Sequence, residues 1–419
     1  MTRFLHSLFK PFFDIRPGER RRTALMFLYF MLVITTIYIL KPLRNALFID
    51  DFGADKMKYI NVGEGFFLIA VVSVYTWIAK RLPHRLFDLM VTVFLIFNLA
   101  FFWIFSQKAS AFISAFFFLW QATFSVVLTT QFWIFANDLF APGEAKRCFG
   151  LIISGGSVGG ILGGTLTNVL VQITDPHNLF LVVSFILGLC ILISTVLWKD
   201  VHKARQAPPA TFTPAEEKHH KKIEPSKVMS YLILVTGLVV LAKMSSTIVE
   251  NQFAGVVEKM VTGKQALAAF YGGFYAWLNF ISFLMQLIMT ALVLRRVGAL
   301  GAVWILPIGL AVLSAWNLCV VSLVAAVIYR LYDGSMNYSI QQASKEILYL
   351  PLTSETRWRA KPWIDMVGFR GAKSLAGFLM IGASSLFGLS AHQMGALVLA
   401  LMPVWIAVLI LLRRRVEAI

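Results

Sequence analysis

Charge is scarce in this chain: Asp, Glu, Lys and Arg make up 14% of its 419 residues, where a soluble domain carries about 25%. Acid is scarcer still, with 21 carboxylates against 38 lysines and arginines. Since 58% of residues are hydrophobic, most apolar surface must face lipid or other helices, and the chain reads as a polytopic membrane protein. Cysteine is nearly absent. Cys148, Cys190 and Cys319 fall in apolar stretches and offer neither a disulfide framework nor paired metal-ligand spacing. The seven histidines are scattered or sit in loops such as "KHHKK". No serine stands in a nucleophile-elbow context. The stretch "GGSVGGILGG" follows no strand and lacks the Lys-Ser/Thr ending of a nucleotide-binding loop. These gaps leave no catalytic residues, no metal and no cofactor. The chain is not an enzyme, and any uphill work draws on a gradient or an exchange. The opening "MTRFLHSLFKPFFDIRPGERRR" lacks the apolar core and cleavage site of a signal peptide, so the first span is expected to act as the insertion signal.

What is present is long apolar runs. A spanning helix needs about 20 mostly apolar residues. Twelve such runs are expected, at 23–47, 59–79, 87–106, 110–140, 147–173, 178–198, 228–252, 266–294, 299–317, 319–344, 361–388 and 391–412. Topology rather than a nucleic-acid partner explains the net charge of +17. With both termini in the cytoplasm, most lysines and arginines fall in cytoplasmic segments, as the positive-inside rule requires. The Pro- and Lys-rich segment 199–227 is expected to be a flexible cytoplasmic linker. It separates an amino-terminal six-helix bundle, 1–198, from a carboxy-terminal one, 228–419. The expected fold is therefore all-α, with twelve transmembrane helices in a 6+6 arrangement like that of the major facilitator superfamily, where substrate binds near the midplane. "PGEAKRCFG" and "SETRWRAKPW" lead into the fifth and eleventh spans, a short echo between the halves.

Charge inside a span is expensive and usually functional. Lys41 and Arg44 are three apart in "YILKPLRN" and share a helix face. Pro42 between them favours a kink or a break. Either they line an interior cavity, or the helix ends near Leu40 and both cations snorkel to the outer interface. Arg370 and Lys373 in "DMVGFRGAKSLAG" lie deep in the eleventh span, about 13–18 Å along its axis, and Asp365 is placed to neutralise one of them. Lys243 and Glu250 share a face of the seventh span. Arg330 and Asp333 share a face of the tenth and are expected to pair locally. In the fifth span, Gly155, Gly159 and Gly163 form one small-residue ridge and Gly156, Gly160 and Gly164 another, which lets neighbouring helices approach closely.

Two longer stretches carry a resemblance. "FWIFANDLFAPGEAKRCFGLIISGGSVGG" (132–160) and "YSIQQASKEILYLPLTSETRWRAKPWIDMVGFRGAKSLAG" (338–377) resemble the two signatures of the ATP/ADP translocases of plastids and intracellular bacteria. The "YILKPLRN" opening is similar to that family's first helix. The residue-level match covers roughly a fifth of the chain and the helical outline covers all of it. The resemblance implies nucleotide exchange or uptake on a major-facilitator-like fold in a bacterial inner membrane. It implies that Arg44 and Lys373, one from each half, bind phosphate, and that Gln121 replaces an acid of the fourth helix. Glu250 is the counterpart of a second acid. Lys41, Lys243 and Arg370 join the substrate-binding set by their place in the membrane. Tyr38 and Tyr275 are candidates for stacking a base. Asn137, Asp138, Glu144, Lys146 and Arg147 in the first signature, with Lys345, Glu346 and Asp365 in the second, form the cytoplasmic gating set. The expected partners are a small anionic solute, a nucleotide, and membrane lipid, with the protein a monomer. A transporter of another anionic metabolite or lipid, coupled to protons, is a second reading. A non-transporting scaffold or sensor is a third.

Overall fold

In lipid every backbone amide and carbonyl has to be satisfied inside the chain, and the described residues form helices and no strand. The computed structural model describes residues 15–79, 81–107, 111–140, 142–206, 225–349, 352, 356, 364 and 368–416. The first helix, α1, runs Arg20–Phe52. After a short 3-10 turn follow α2 (Met57–Ala79), α3 (His84–Ser106), α4 (Ala111–Leu139) and α5 (Pro142–Ile173). Then come α6 (Leu179–Gln206), α7 (Pro225–Met260) and α8 (Lys264–Leu284). A π turn, Met285–Met289, joins α8 to α9 (Thr290–Ala302). Next are α10 (Ile305–Cys319), α11 (Leu323–Met336), a second π turn at Asn337–Gln341, and α12 (Gln342–Leu348). Last come α13 (Phe369–Phe387) and α14 (Gly395–Val416).

Among the described residues nine helices are long and apolar enough to cross a membrane, or ten if the pair Leu292–Ala302 and Ile305–Cys319, bent by 80°, is one span. The chain is thus an integral, multi-pass membrane protein. In the expected 319–344 run the helix continues from Leu323 through the second π turn to Leu348. In the 361–388 run α13 is the helix described, and most of the residues before it lie outside the described ones. Gly298, at φ 68°, turns the chain at the expected 295–298 loop. The 199–227 linker falls largely outside the described residues, and α6 extends to Gln206 at its start.

The chain forms two compact units. One comprises 1–51, 68–212 and 263–280; the other comprises 52–67, 213–262 and 281–419. In the first unit an aromatic core ties α3, α4 and α6 together. Phe102 lies 5.1 Å from Phe117 and 5.0 Å from Trp120, and Phe117 lies 4.9 Å from Phe180. In the second unit buried apolar residues of α7, including Tyr231, Leu238 and Ile248, pack with Tyr329 of α11, Ala376 of α13 and Trp405 of α14.

The glycine ridges of α5 serve two partners within the first unit. A methyl on Gly155 would come 2.7 Å from the Phe27 carbonyl oxygen, and one on Gly163 2.6 Å from that of Thr35, both on α1. Of the other ridge, Gly156 faces Phe30 of α1, whereas Gly160 and Gly164 meet α8, where a methyl on Gly164 would lie 2.6 Å from the Gly272 carbonyl. Backbone therefore packs on backbone, and Thr35 Oγ1 donates to the Gly159 carbonyl at 3.2 Å. Asn168 and Gln265 donate across the second crossing to the carbonyls of Ala269 and Val171. Close packing of this kind replaces the hydrophobic drive that lipid removes. Gly159→Val should cost about 2 kcal/mol or more through overpacking. It should lower the unfolding temperature in detergent, whereas Gly188→Ala on α6, where nothing lies within 4 Å, should not.

Candidate functional site

Helix α1 does not stop at Leu40. It passes through Pro42 without interruption and ends at Phe52. Proline has no N–H for the carbonyl four residues earlier, yet surrounding packing carries the helix on, with Leu40, Pro42, Leu43 and Arg44 all buried. The cations are thus carried into the first unit. Arg44 is 4% exposed. Its Nη1 donates to Gln121 Oε1 of α4 at 3.1 Å, and its Nε and Nη2 donate to Asn45 Oδ1 at 3.2 and 3.1 Å. The guanidinium carbon stands 4.1 Å from the centre of the Phe118 ring. Lys41 Nζ lies 4.5 Å from the centre of the Tyr275 ring and 5.7 Å from that of Tyr38. The two tyrosine rings meet edge to face at 5.8 Å, and Asn45 Nδ2 donates to Tyr275 Oη at 3.3 Å. Amide oxygens and a ring face therefore contact Arg44, and two ring faces contact Lys41.

In the second unit the charges gather around α7. Lys243 is within electrostatic range of Lys373, Glu250, Arg330 and Glu64. Arg330 pairs with Asp333 three residues on, as the spacing predicts, and also reaches Glu250 Oε2 at 3.5 Å. Asp333 is fully buried. It accepts from Ser246 Oγ at 2.8 Å and Asn337 Nδ2 at 2.8 Å, so this part of the network is well satisfied. Lys373 of α13 pairs with Glu64 of α2 at 2.5 Å, each side chain 12% exposed. Glu64 is the partner that sequence reasoning missed. Its signal is a lone acid within an expected span, which is as costly there as a cation. Lys58, also on α2, is buried and donates to Ser384 Oγ at 2.7 Å. Asp365 lies outside the described residues. Arg370 lies on α13, with its side chain outside the description.

The described residues expected to gate fall on α4, α5 and α12. Glu144 at the start of α5 accepts from Arg22 of α1 at 3.0 Å. Arg147 pairs with Glu19 just before α1. The Glu-Ala-Lys-Arg segment thus ties the first turn of α5 to the start of α1. Burial raises the Glu19 pKa, but the Arg147 hydrogen bond has the larger effect, and the carboxyl is held below its ordinary value of 4.5. Asn137 and Asp138 sit on the last turn of α4, the former exposed. Lys146 lies on α5, with its side chain outside the description. Lys345 and Glu346 are partly exposed on α12, where Gln342 Nε2 donates to Glu346 at 3.3 Å. Among the described residues no group of three or more His, Cys, Asp or Glu could hold a metal ion.

Solved structures share this all-helical fold. A POT family transporter in complex with 5-aminolevulinic acid matches 94% of this chain and 96% of its own, with a TM-score of 0.63 at 10% identity. The nucleoside transporter NupG matches 96% of this chain and 100% of its own, with a TM-score of 0.63 at 12% identity. The fold is that of major-facilitator-like transporters. The model of the TLC ATP/ADP transporter family matches residues 111–329 and 317–416, and the chain belongs to that family. Among its relatives, ADP,ATP carrier protein 1 of Chlamydia trachomatis is 27% identical over 289 residues, 60% of this chain. ADP,ATP carrier protein 3 of Rickettsia prowazekii is 22% identical over 448 aligned residues, covering 87% of this chain and 88% of that relative. The chain spans about half the length of the chlamydial relatives, 54% and 56% of the two carriers from C. trachomatis and C. muridarum.

Two outcomes follow from these contacts. Removing one partner of a buried ion pair leaves a charge uncompensated, at a cost of about 3 kcal/mol. Glu64→Ala should therefore destabilise the protein to chemical unfolding, and Glu64→Met with Lys373→Met should restore much of the loss. Because the Glu19 pKa is lowered on folding, its contribution to stability is present above pH 4.5 and is lost as pH falls through the lowered folded value. Glu19→Gln should flatten the dependence of the melting temperature on pH below that point.

Proposed function

We propose that the chain is a nucleotide exchange transporter that works by alternating access. The observation that carries this reading is the enclosure of cations at helix-interior positions in each unit: Arg44 in one, Lys373 and Lys243 in the other. Membership of an ATP/ADP transporter family supports it. Phosphate oxygens would take the place of Gln121 on Arg44, where the guanidinium fork offers a bidentate contact between opposite charges. On Lys373 they would compete with the Glu64 carboxylate, which would then have to take another partner or a proton. Lys41 and Arg370 add positive potential. Glu250 is held by Arg330 and sets the charge near Lys243. The proposal extends to twelve spans in two six-helix halves, 1–198 and 228–419, joined by a cytoplasmic 199–227 linker. It places both termini in the cytoplasm of a bacterial cell, with the protein acting as a monomer in the inner membrane. Arg22–Glu144 and Glu19–Arg147 are proposed as gating contacts, with Asn137, Asp138, Lys146, Lys345, Glu346 and Asp365 in the same role.

One feature favours a second cargo. Position 121 carries a neutral glutamine where the family resemblance places an acid, and a site with one fewer negative charge suits a more highly charged or differently shaped phosphorylated metabolite. Counterflow separates the two. Proteoliposomes loaded with ADP should take up labelled ATP, and Arg44→Ala and Lys373→Ala should each reduce the initial rate at least tenfold. Equal uptake by both variants would overturn the site. Exchange of another phosphorylated anion, with none of ATP or ADP, would transfer the site to the second cargo.

A further inference from the structure

The first unit holds a polar pocket at the end where α2 and α4 finish and α3 begins. Its walls are Tyr75 of α2, Phe87 and Asp88 of α3, Gln131 and Phe135 of α4, and Trp198 of α6. Tyr75 and Phe87 meet edge to face at 5.0 Å, and Phe135 lies 4.9 Å from Trp198. The cavity measures about 60 Å³ on a scale where one water needs roughly 10–15 Å³. It holds a few small groups and excludes a nucleotide.

Its polar groups are buried but unsatisfied. Asp88 is 7% exposed, Gln131 3% and Trp198 5%. Asp88 Oδ1, both amide atoms of Gln131, Tyr75 Oη and Trp198 Nε1 make no hydrogen bond. The Trp198 indole nitrogen lies beside the Asp88 carboxyl without acceptable hydrogen-bond geometry. Buried polar atoms are nearly always paired, and each one left unmade costs about 1–3 kcal/mol. So many at one cavity mark a place that a ligand completes. Asp88, with Asp138 also on the wall, opposes an anion. Four aromatic rings favour a cation that is weakly hydrated and partly apolar, since ring faces attract such a charge.

We propose that this pocket binds a small alkylammonium ion. Asp88 and the Gln131 carbonyl accept its N–H groups, and the rings of Tyr75, Phe87, Phe135 and Trp198 enclose its methyl groups. This site is distinct from the proposed nucleotide-binding residues: it shares with the proposed gating set only Asp138 on its wall, and it selects the opposite charge.

Calorimetric titration of the full chain in detergent tests it, with methylammonium, trimethylammonium and sodium as probes. Saturable binding of an alkylammonium ion should appear at sodium concentrations that leave it intact. Asp88→Asn should weaken it at least tenfold, and Phe135→Leu should weaken it several-fold. Phe135→Leu keeps the test decisive if Asp88→Asn does not fold. Absence of alkylammonium binding, competition by equimolar sodium, or unchanged affinity in a folded variant would overturn the proposal.

Discussion

Ionised side chains held away from water set the terms for the rest of this structure. Each must be solvated by something fixed, and the fold supplies three solutions. Arg44 rests on the amide oxygens of Gln121 and Asn45 and on the Phe118 ring. Lys373 has the Glu64 carboxylate. Arg330 joins a network in which Asp333 also takes bonds from Ser246 and Asn337. These solutions differ in how readily they are given up. A network with several satisfied members resists change more than contacts to a neutral amide or to one carboxylate. The proposed substrate contacts belong to the first two kinds, and the Arg330–Asp333 network is structural.

The demands of those charges reach into the helices that carry them. Delivering Arg44 requires α1 to continue through Pro42, where a helix ordinarily bends or ends, and extensive burial on both sides of the proline makes that possible. The close crossings made by α5 have the same logic. With little hydrophobic drive between helices in lipid, backbone contact at Gly155, Gly163 and Gly164 holds the scaffold that keeps the charges in place.

Much of this was legible in the sequence. Apolar runs marked the helices, intramembrane spacing marked Lys41 with Arg44 and Arg330 with Asp333, and the four-residue glycine period marked the ridges of α5. The reading stopped where information is non-local. Lys373 meets an acid 309 residues away in the chain, which no spacing rule reaches, although Glu64 and Asp88 both stood inside expected spans. Tyr38 and Tyr275, candidates for stacking a base, pack on each other and on Lys41. The π turns at Met285–Met289 and Asn337–Gln341 have no compositional mark.

The discontinuous make-up of the two units bears on how the protein comes into being. The unit that contains α1 is incomplete until residues 263–280 exist, and the unit that contains α7 uses residues 52–67, which emerge far earlier. A nascent chain leaving the ribosome therefore finishes neither unit in order. The glycine face of α5 that will receive α8 has to wait through the synthesis of about a hundred residues, shielded meanwhile by lipid or by the insertion machinery.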